Sequence, residues 1–95
     1  MPAYIVSMVN VNDPEKYKQY AALAGDAARK YGGKFLARGG EREVLEGKLA
    51  YTRVVIAEFE NMDAARQFFR SPEYQAARLH RLDAADFNAV LTVGA

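Results

Sequence analysis

The stretch Tyr51-Thr52-Arg53-Val54-Val55-Ile56-Ala57-Glu58-Phe59 decides the fold. Its β-branched and aromatic residues mark a strand, and a strand sends alternate side chains to opposite faces. Arg53, Val55, Ala57 and Phe59 share one face, and Thr52, Val54, Ile56 and Glu58 share the other. Both faces are largely apolar. The segment Ala3–Val11 (AYIVSMVNV) has the same character, with Tyr4, Val6 and Met8 opposing Ala3, Ile5, Val9 and Val11. A sheet with helices on one face and water on the other alternates apolar with polar. Two apolar faces predict a sheet covered on both sides, by helices and by a second copy of the chain, because a bare apolar face of that size invites aggregation.

Working outward, Asn12-Asp13-Pro14 ends the first strand with a capping residue followed by proline at the first helical position. Tyr17, Tyr20, Ala21, Ala24, Ala28 and Tyr31 then recur at helical spacing, which predicts a helix from Pro14 to about Tyr31, closed by Gly32-Gly33. Lys34–Arg38 reads as a strand, Gly39-Gly40 as a bulge or bend, Glu41–Glu46 as the continuation of that strand, and Gly47 as a turn. After Phe59, Asn61 caps a helix carrying Ala64, Ala65, Phe68 and Phe69. Ser71-Pro72-Glu73 repeats the cap-then-proline signature, so a short helix restarts at Pro72 and carries Tyr74, Ala77, Arg78 and, at its end, Arg81. Ala85–Val93 alternates as a final strand. The order βαββαβ is a split βαβ, the ferredoxin-like arrangement of the α+β class, an antiparallel sheet with its helices on one face. A chain of 95 residues has room for one such domain, spanning 1–95.

Hydrophobic residues make up 51% and charged residues 26%, the proportions of a folded globular protein rather than a disordered one. The net charge of +1 provides no field to draw in phosphate backbones or anionic lipid. An RNA-recognition module shares this element order, but it needs a glycine-aromatic signature on a central strand and a basic surface, so nucleic acid is not an expected partner. No apolar run approaches the roughly 18 residues that span a bilayer, and Met1–Val11 has no basic leader, so the expected setting is cytoplasmic, without membrane. The absence of cysteine excludes a disulfide framework, thiolate metal sites and a cysteine nucleophile. The single histidine, His80, leaves no usual zinc set, and neither metal nor cofactor is expected. Gly47-Lys48-Leu49 lacks the spacing and the Ser or Thr of a phosphate loop, and Gly39-Gly40 precedes a strand rather than a helix.

The polar residues set within apolar strands are Arg38, Arg53 and Glu58. On one reading Arg53 and Glu58 pair with each other or with Glu46, at strand ends or at the dimer seam. On the other they floor a pocket, with Arg38 or Arg53 anchoring an anion, Glu58 serving as a base and Tyr74 contacting the ligand. Arg38 stands beside Gly39-Gly40, where missing side chains let a small molecule approach the backbone. His80 is a second candidate for acid–base work, or else a surface residue favoured by the end of a helix. Tyr17, Tyr20 and Tyr31 lie on the apolar stripe of the first helix and read as core.

Asp13-Pro14 with Tyr17 and Tyr20, Gly32-Gly33-Lys34-Phe35-Leu36-Ala37-Arg38-Gly39-Gly40, Leu45-Glu46-Gly47, Glu58-Phe59 and Ser71-Pro72-Glu73-Tyr74 together resemble the domain-of-unknown-function family 1330, over nearly the whole chain. The resemblance implies a dimeric α/β barrel, the superfamily that also holds cofactor-free monooxygenases of antibiotic biosynthesis, muconolactone isomerase and haem-dependent peroxidases. It carries no established reaction. Relatives tend to have a tryptophan and prolines after Gly47, whereas this chain reads Lys48-Leu49-Ala50 and has no tryptophan, so the hairpin rimming the pocket is expected to differ. Two functions remain open: a homodimer that binds or transforms a small aromatic or carboxylate metabolite without a metal, and a non-catalytic structural or stress-associated homodimeric module.

Overall fold

Short polar side chains make each handover from strand to helix. In the computed structural model, which describes residues 1–95, β1 (Ala3–Val11) passes into α1 (Pro14–Lys30) at Asp13, whose carboxylate accepts the Lys16 N–H at 3.2 Å. Proline follows at the first helical position, where a missing N–H costs nothing. Further on, β3 (Arg53–Phe59) passes into α2 (Met62–Arg70) at Asn61, whose side chain accepts the Ala64 N–H at 2.8 Å. Ser71 both ends α2 and begins α3 (Pro72–Leu79). Its hydroxyl donates to the Phe68 carbonyl at 2.6 Å and accepts the Tyr74 N–H at 3.1 Å. The helical region is therefore broken where Ser71-Pro72 predicts a break.

With β2 (Lys34–Arg38) and β4 (Ala85–Val93), the strands form one antiparallel sheet in the order β2-β3-β1-β4. Register places Ile5 between Ala57 and Leu91, Ser7 between Val55 and Ala89, and Val9 between Arg53 and Phe87. These residues face the helices. The core above them includes Val9 and Phe59, both almost fully buried, and a run of rings in which Phe68 lies 5.0 Å from Phe59 and 4.7 Å from Tyr74. No helix covers the other face, which presents Val6 and Met8 from β1, Val54 and Ile56 from β3, and Val90 from β4, the last 59% exposed.

Two sequence expectations fail between β2 and β3. Glu41–Glu46 does not continue the strand; these residues are exposed and outside any element. The bulge falls at Leu36, where the β2–β3 register shifts between Phe35 and Ala37, and Gly39 ends the strand by turning to a φ of +75° after donating its N–H to Val54 at 3.0 Å. Beyond that turn the Glu-Arg-Glu segment has neither a neighbouring strand nor an apolar face to bury. β3 likewise begins at Arg53 rather than Tyr51, because the Asn10 side chain takes the place of ladder bonds there. It donates to the Ala50 carbonyl at 2.7 Å and accepts the Thr52 N–H at 2.9 Å.

Candidate functional site

The β2 bulge decides which side chains meet above the sheet. In a regular strand Phe35 and Arg38 would point to opposite faces. The extra residue puts both on the helix side, Phe35 across from Ala57 and Arg38 across from Val55. Between that face and the helices lies a cavity of about 50 Å³, lined by Tyr17 and Tyr20 of α1, Tyr74 of α3, Arg38, Arg53 and Phe87 among others. Hydrophobic residues are 13 of the 16 that line it, so a few polar groups determine what it accepts. A second cavity of about 260 Å³ shares Ile5, Phe69 and Ala89 with the first and opens between α2 and β4 beside Arg66 and Arg70.

Three arginines define the electrostatics. Arg38 is exposed at the rim, donating to the Ala21 carbonyl at 2.7 Å, with its guanidinium 4.2 Å from the centre of the Phe35 ring. Arg53 is half-buried, 5.3 Å from the centre of the Tyr17 ring, and its buried Nε has no hydrogen-bond partner. Gly39 allows this placement, since a Cβ there would lie 2.5 Å from the Arg53 Cζ. Arg81 is only 7% exposed. It stacks on Phe87 at 3.8 Å, donates to the Tyr74 hydroxyl at 3.3 Å, and has a buried Nε without a partner.

The ion pairs of the chain are Arg29–Asp26, Lys30–Glu73 and Arg66–Asp63; none includes Arg38, Arg53 or Arg81. The Tyr20 and Tyr74 hydroxyls lie 2.8 Å apart. Burial pushes the Tyr17 hydroxyl above the ordinary phenol value against the opposing charge of Arg53. It pushes Tyr20 up more strongly, reinforced by Tyr74, so both stay protonated.

Of the residues singled out in the sequence, Arg38, Arg53 and Tyr74 come together in this cleft. Glu58 does not. The two-residue period of β3 sends it to the opposite face, next to Tyr4 and Lys34 in the neighbouring strands, so it can neither act as a base in the cleft nor pair with Arg53. Arg53 forms no ion pair with Glu46 either. His80 is exposed at the C-terminal cap of α3 and lines no part of the cavity. The sequence predicts Arg81 at the end of the helix that starts at Pro72, but α3 stops at Leu79 and Arg81 lies in the turn that follows, so no helical spacing marks it as a site residue. No three His, Cys, Asp or Glu side chains are grouped so as to hold a metal ion, and no helix is long and apolar enough to cross a membrane.

A ferredoxin-like α+β domain with an apolar, arginine-bearing cleft between its two layers is the class these features define. The chain belongs to the domain-of-unknown-function family DUF1330, whose model matches residues 2–95. No curated protein matches it in sequence. Among solved structures it is similar to RPA0582, a protein of unknown function from Rhodopseudomonas palustris, with 24% identity, 96% of this chain and 80% of that one covered, and a TM-score of 0.79. A dimeric ferredoxin-like protein of unknown function from Jannaschia sp. CCS1 is 14% identical, with coverage of 99% and 100% and a TM-score of 0.80. SnoaB, a cofactor-independent oxygenase from Streptomyces nogalater, is 13% identical, with coverage of 99% and 93% and a TM-score of 0.65. At these identities the likeness shows the shared fold.

Proposed function

We propose that the protein is a homodimer that binds, and transforms without a metal, a small organic acid with a flat apolar body, held in the cleft between sheet and helices. One observation carries the reading: Arg53 and Arg81 have buried Nε atoms with no hydrogen-bond partner, and neither arginine has a carboxylate partner. A cation taken out of water without a counter-ion is costly, and a ligand carboxylate offsets that cost. Guanidinium groups suit the task, since they grip carboxylates through paired N–H groups and stack on aromatic faces. Arg38 stands at the rim to receive the acid, and Tyr74 contacts it inside.

The dimer is supported by the apolar sheet face that no helix covers and by the dimeric state of the Jannaschia protein. That SnoaB is a cofactor-independent oxygenase supports extending the reading from binding to transformation. A cytoplasmic setting is part of the proposal, since the cleft needs only a dissolved small acid. The test is a thermal-shift panel of aromatic and aliphatic carboxylates at millimolar concentration. A ligand at ten times its Kd adds about 1.4 kcal/mol, several degrees in Tm for a domain of this size. Arg53→Ala or Arg38→Ala should abolish the shift and leave the dimer intact. If no carboxylate stabilises the wild type, the arginines serve structure alone.

A further inference from the structure

The few polar groups of the cleft are mostly hydrogen-bond donors, and their arrangement narrows the class of ligand. A guanidinium can only donate, so the 3.3 Å contact from Arg81 makes the Tyr74 oxygen an acceptor. The Tyr20 and Tyr74 hydroxyls, 2.8 Å apart, share one further hydrogen bond. Tyr74 donates to Tyr20 and leaves the Tyr20 proton over, or Tyr20 donates to Tyr74 and leaves the Tyr74 proton over. In both arrangements one phenolic O–H has no acceptor in the protein, and both tyrosines line the cavity. Hydrogen bonds in series polarise one another, so that last O–H is a strengthened donor driven by the Arg81 charge.

Tyr17 adds to the set. Its ring stands 5.3 Å from Tyr20 and 5.3 Å from the Arg53 guanidinium. The titratable and charged groups that line this space are Tyr17, Tyr20, Tyr74, Arg38 and Arg53, with Arg81 behind them against Tyr20 and Tyr74, and no carboxylate lines it. A wall of neutral and cationic donors complements an anionic oxygen, because hydrogen bonds to an ionised acceptor are about twice as strong as those between neutral groups.

We infer that Arg81, Tyr74 and Tyr20 form a relay that recognises an ionised hydroxyl, so that the ligand is an acid carrying a phenolic or enolic O–H that binds as its oxyanion. This rests on the cleft reading above and deepens it: Arg53 holds the carboxylate, and the relay holds the second oxygen. The anion enters from solution and its proton stays in water, so no side chain acts as base. Arg81 is a positioning residue, acting through the tyrosine hydroxyls.

The probes are para-nitrophenol, whose ionised form is yellow, and para-nitrobenzoate, which carries only the carboxylate. Absorbance titration of para-nitrophenol with the full-length protein should show the bound phenol ionising about one pH unit or more below the free one, a tenfold or greater preference for the oxyanion. Tyr74 links Arg81 to the free O–H in both arrangements, so Tyr74→Phe and Arg81→Gln should each remove most of the shift, and Arg81→Lys should restore part of it. If Arg81→Gln fails to fold, Tyr74→Phe carries the test alone, since it removes one oxygen. An unshifted titration with para-nitrobenzoate still bound, or a full shift that survives Tyr74→Phe, overturns the relay and leaves the cleft reading standing. If neither probe binds, the cleft reading falls and the relay with it.

Discussion

Ser71→Ala isolates one atom on which two helices and the tyrosine pair depend. The Ser71 residue is 4% exposed, and its hydroxyl makes two hydrogen bonds. Removing it leaves the Phe68 carbonyl satisfied, because the Ser71 backbone N–H also reaches that oxygen at 3.1 Å. The Tyr74 N–H is different: it lies in the first turn of α3, has no carbonyl within its helix, and becomes a buried donor without an acceptor. Loss of a serine cap costs about 1 kcal/mol and up to about 2 where the site is constrained, and burial places this position toward the upper end. For a domain of this size that is a fall in Tm of roughly 5–15 °C. Circular dichroism melts at one fixed protein concentration measure it, since the melting of a dimer depends on concentration. Ser71→Thr keeps the hydroxyl and should recover most of the loss. A Ser71→Ala protein that melts within a degree or two of wild type would show that the hydroxyl does not cap α3 and that the break between the helices has another cause.

Further outcomes follow from the uncovered sheet face and from the surface ion pair on α3. Val54→Glu places a charge in the middle of that face, opposite Met8, and should dissociate the proposed dimer and unfold most of the protein; light scattering that returned a folded dimer would refute the assembly. Glu73, bonded to Lys30 and Tyr31, has its carboxyl lowered from the ordinary 4.5 to about 2, the Lys30 bond being the largest cause. Its contribution to stability is therefore complete above about pH 4.5 and lost as pH falls toward 2, because the unfolded chain takes up the proton first. Urea midpoints of wild type and Glu73→Gln should differ at pH 6 and converge across that window, and an unchanged gap at low pH would remove Glu73 from the account.

The sequence by itself determined the order of elements, the helix starts at Asp13, Asn61 and Ser71, and the existence of two apolar sheet faces. Those signals are local: a cap reads residues three positions on, and a strand pattern repeats every second residue. Tertiary structure decided which of the scattered charges meet. A single extra residue at Leu36 reverses the parity of β2 and brings Arg38 to the cleft, while the unbroken parity of β3 keeps Glu58 away from it. No local pattern marks Glu41–Glu46 as outside the sheet, because pairing requires a free strand edge elsewhere in the chain. Arg81 has the composition of a surface helix end, and only its packing on Phe87 and its bond to Tyr74 show it to be a buried cation without a counter-ion. Side-chain direction in a sheet is fixed by register, and the cost of a charge by what surrounds it, so both depend on residues far away along the chain.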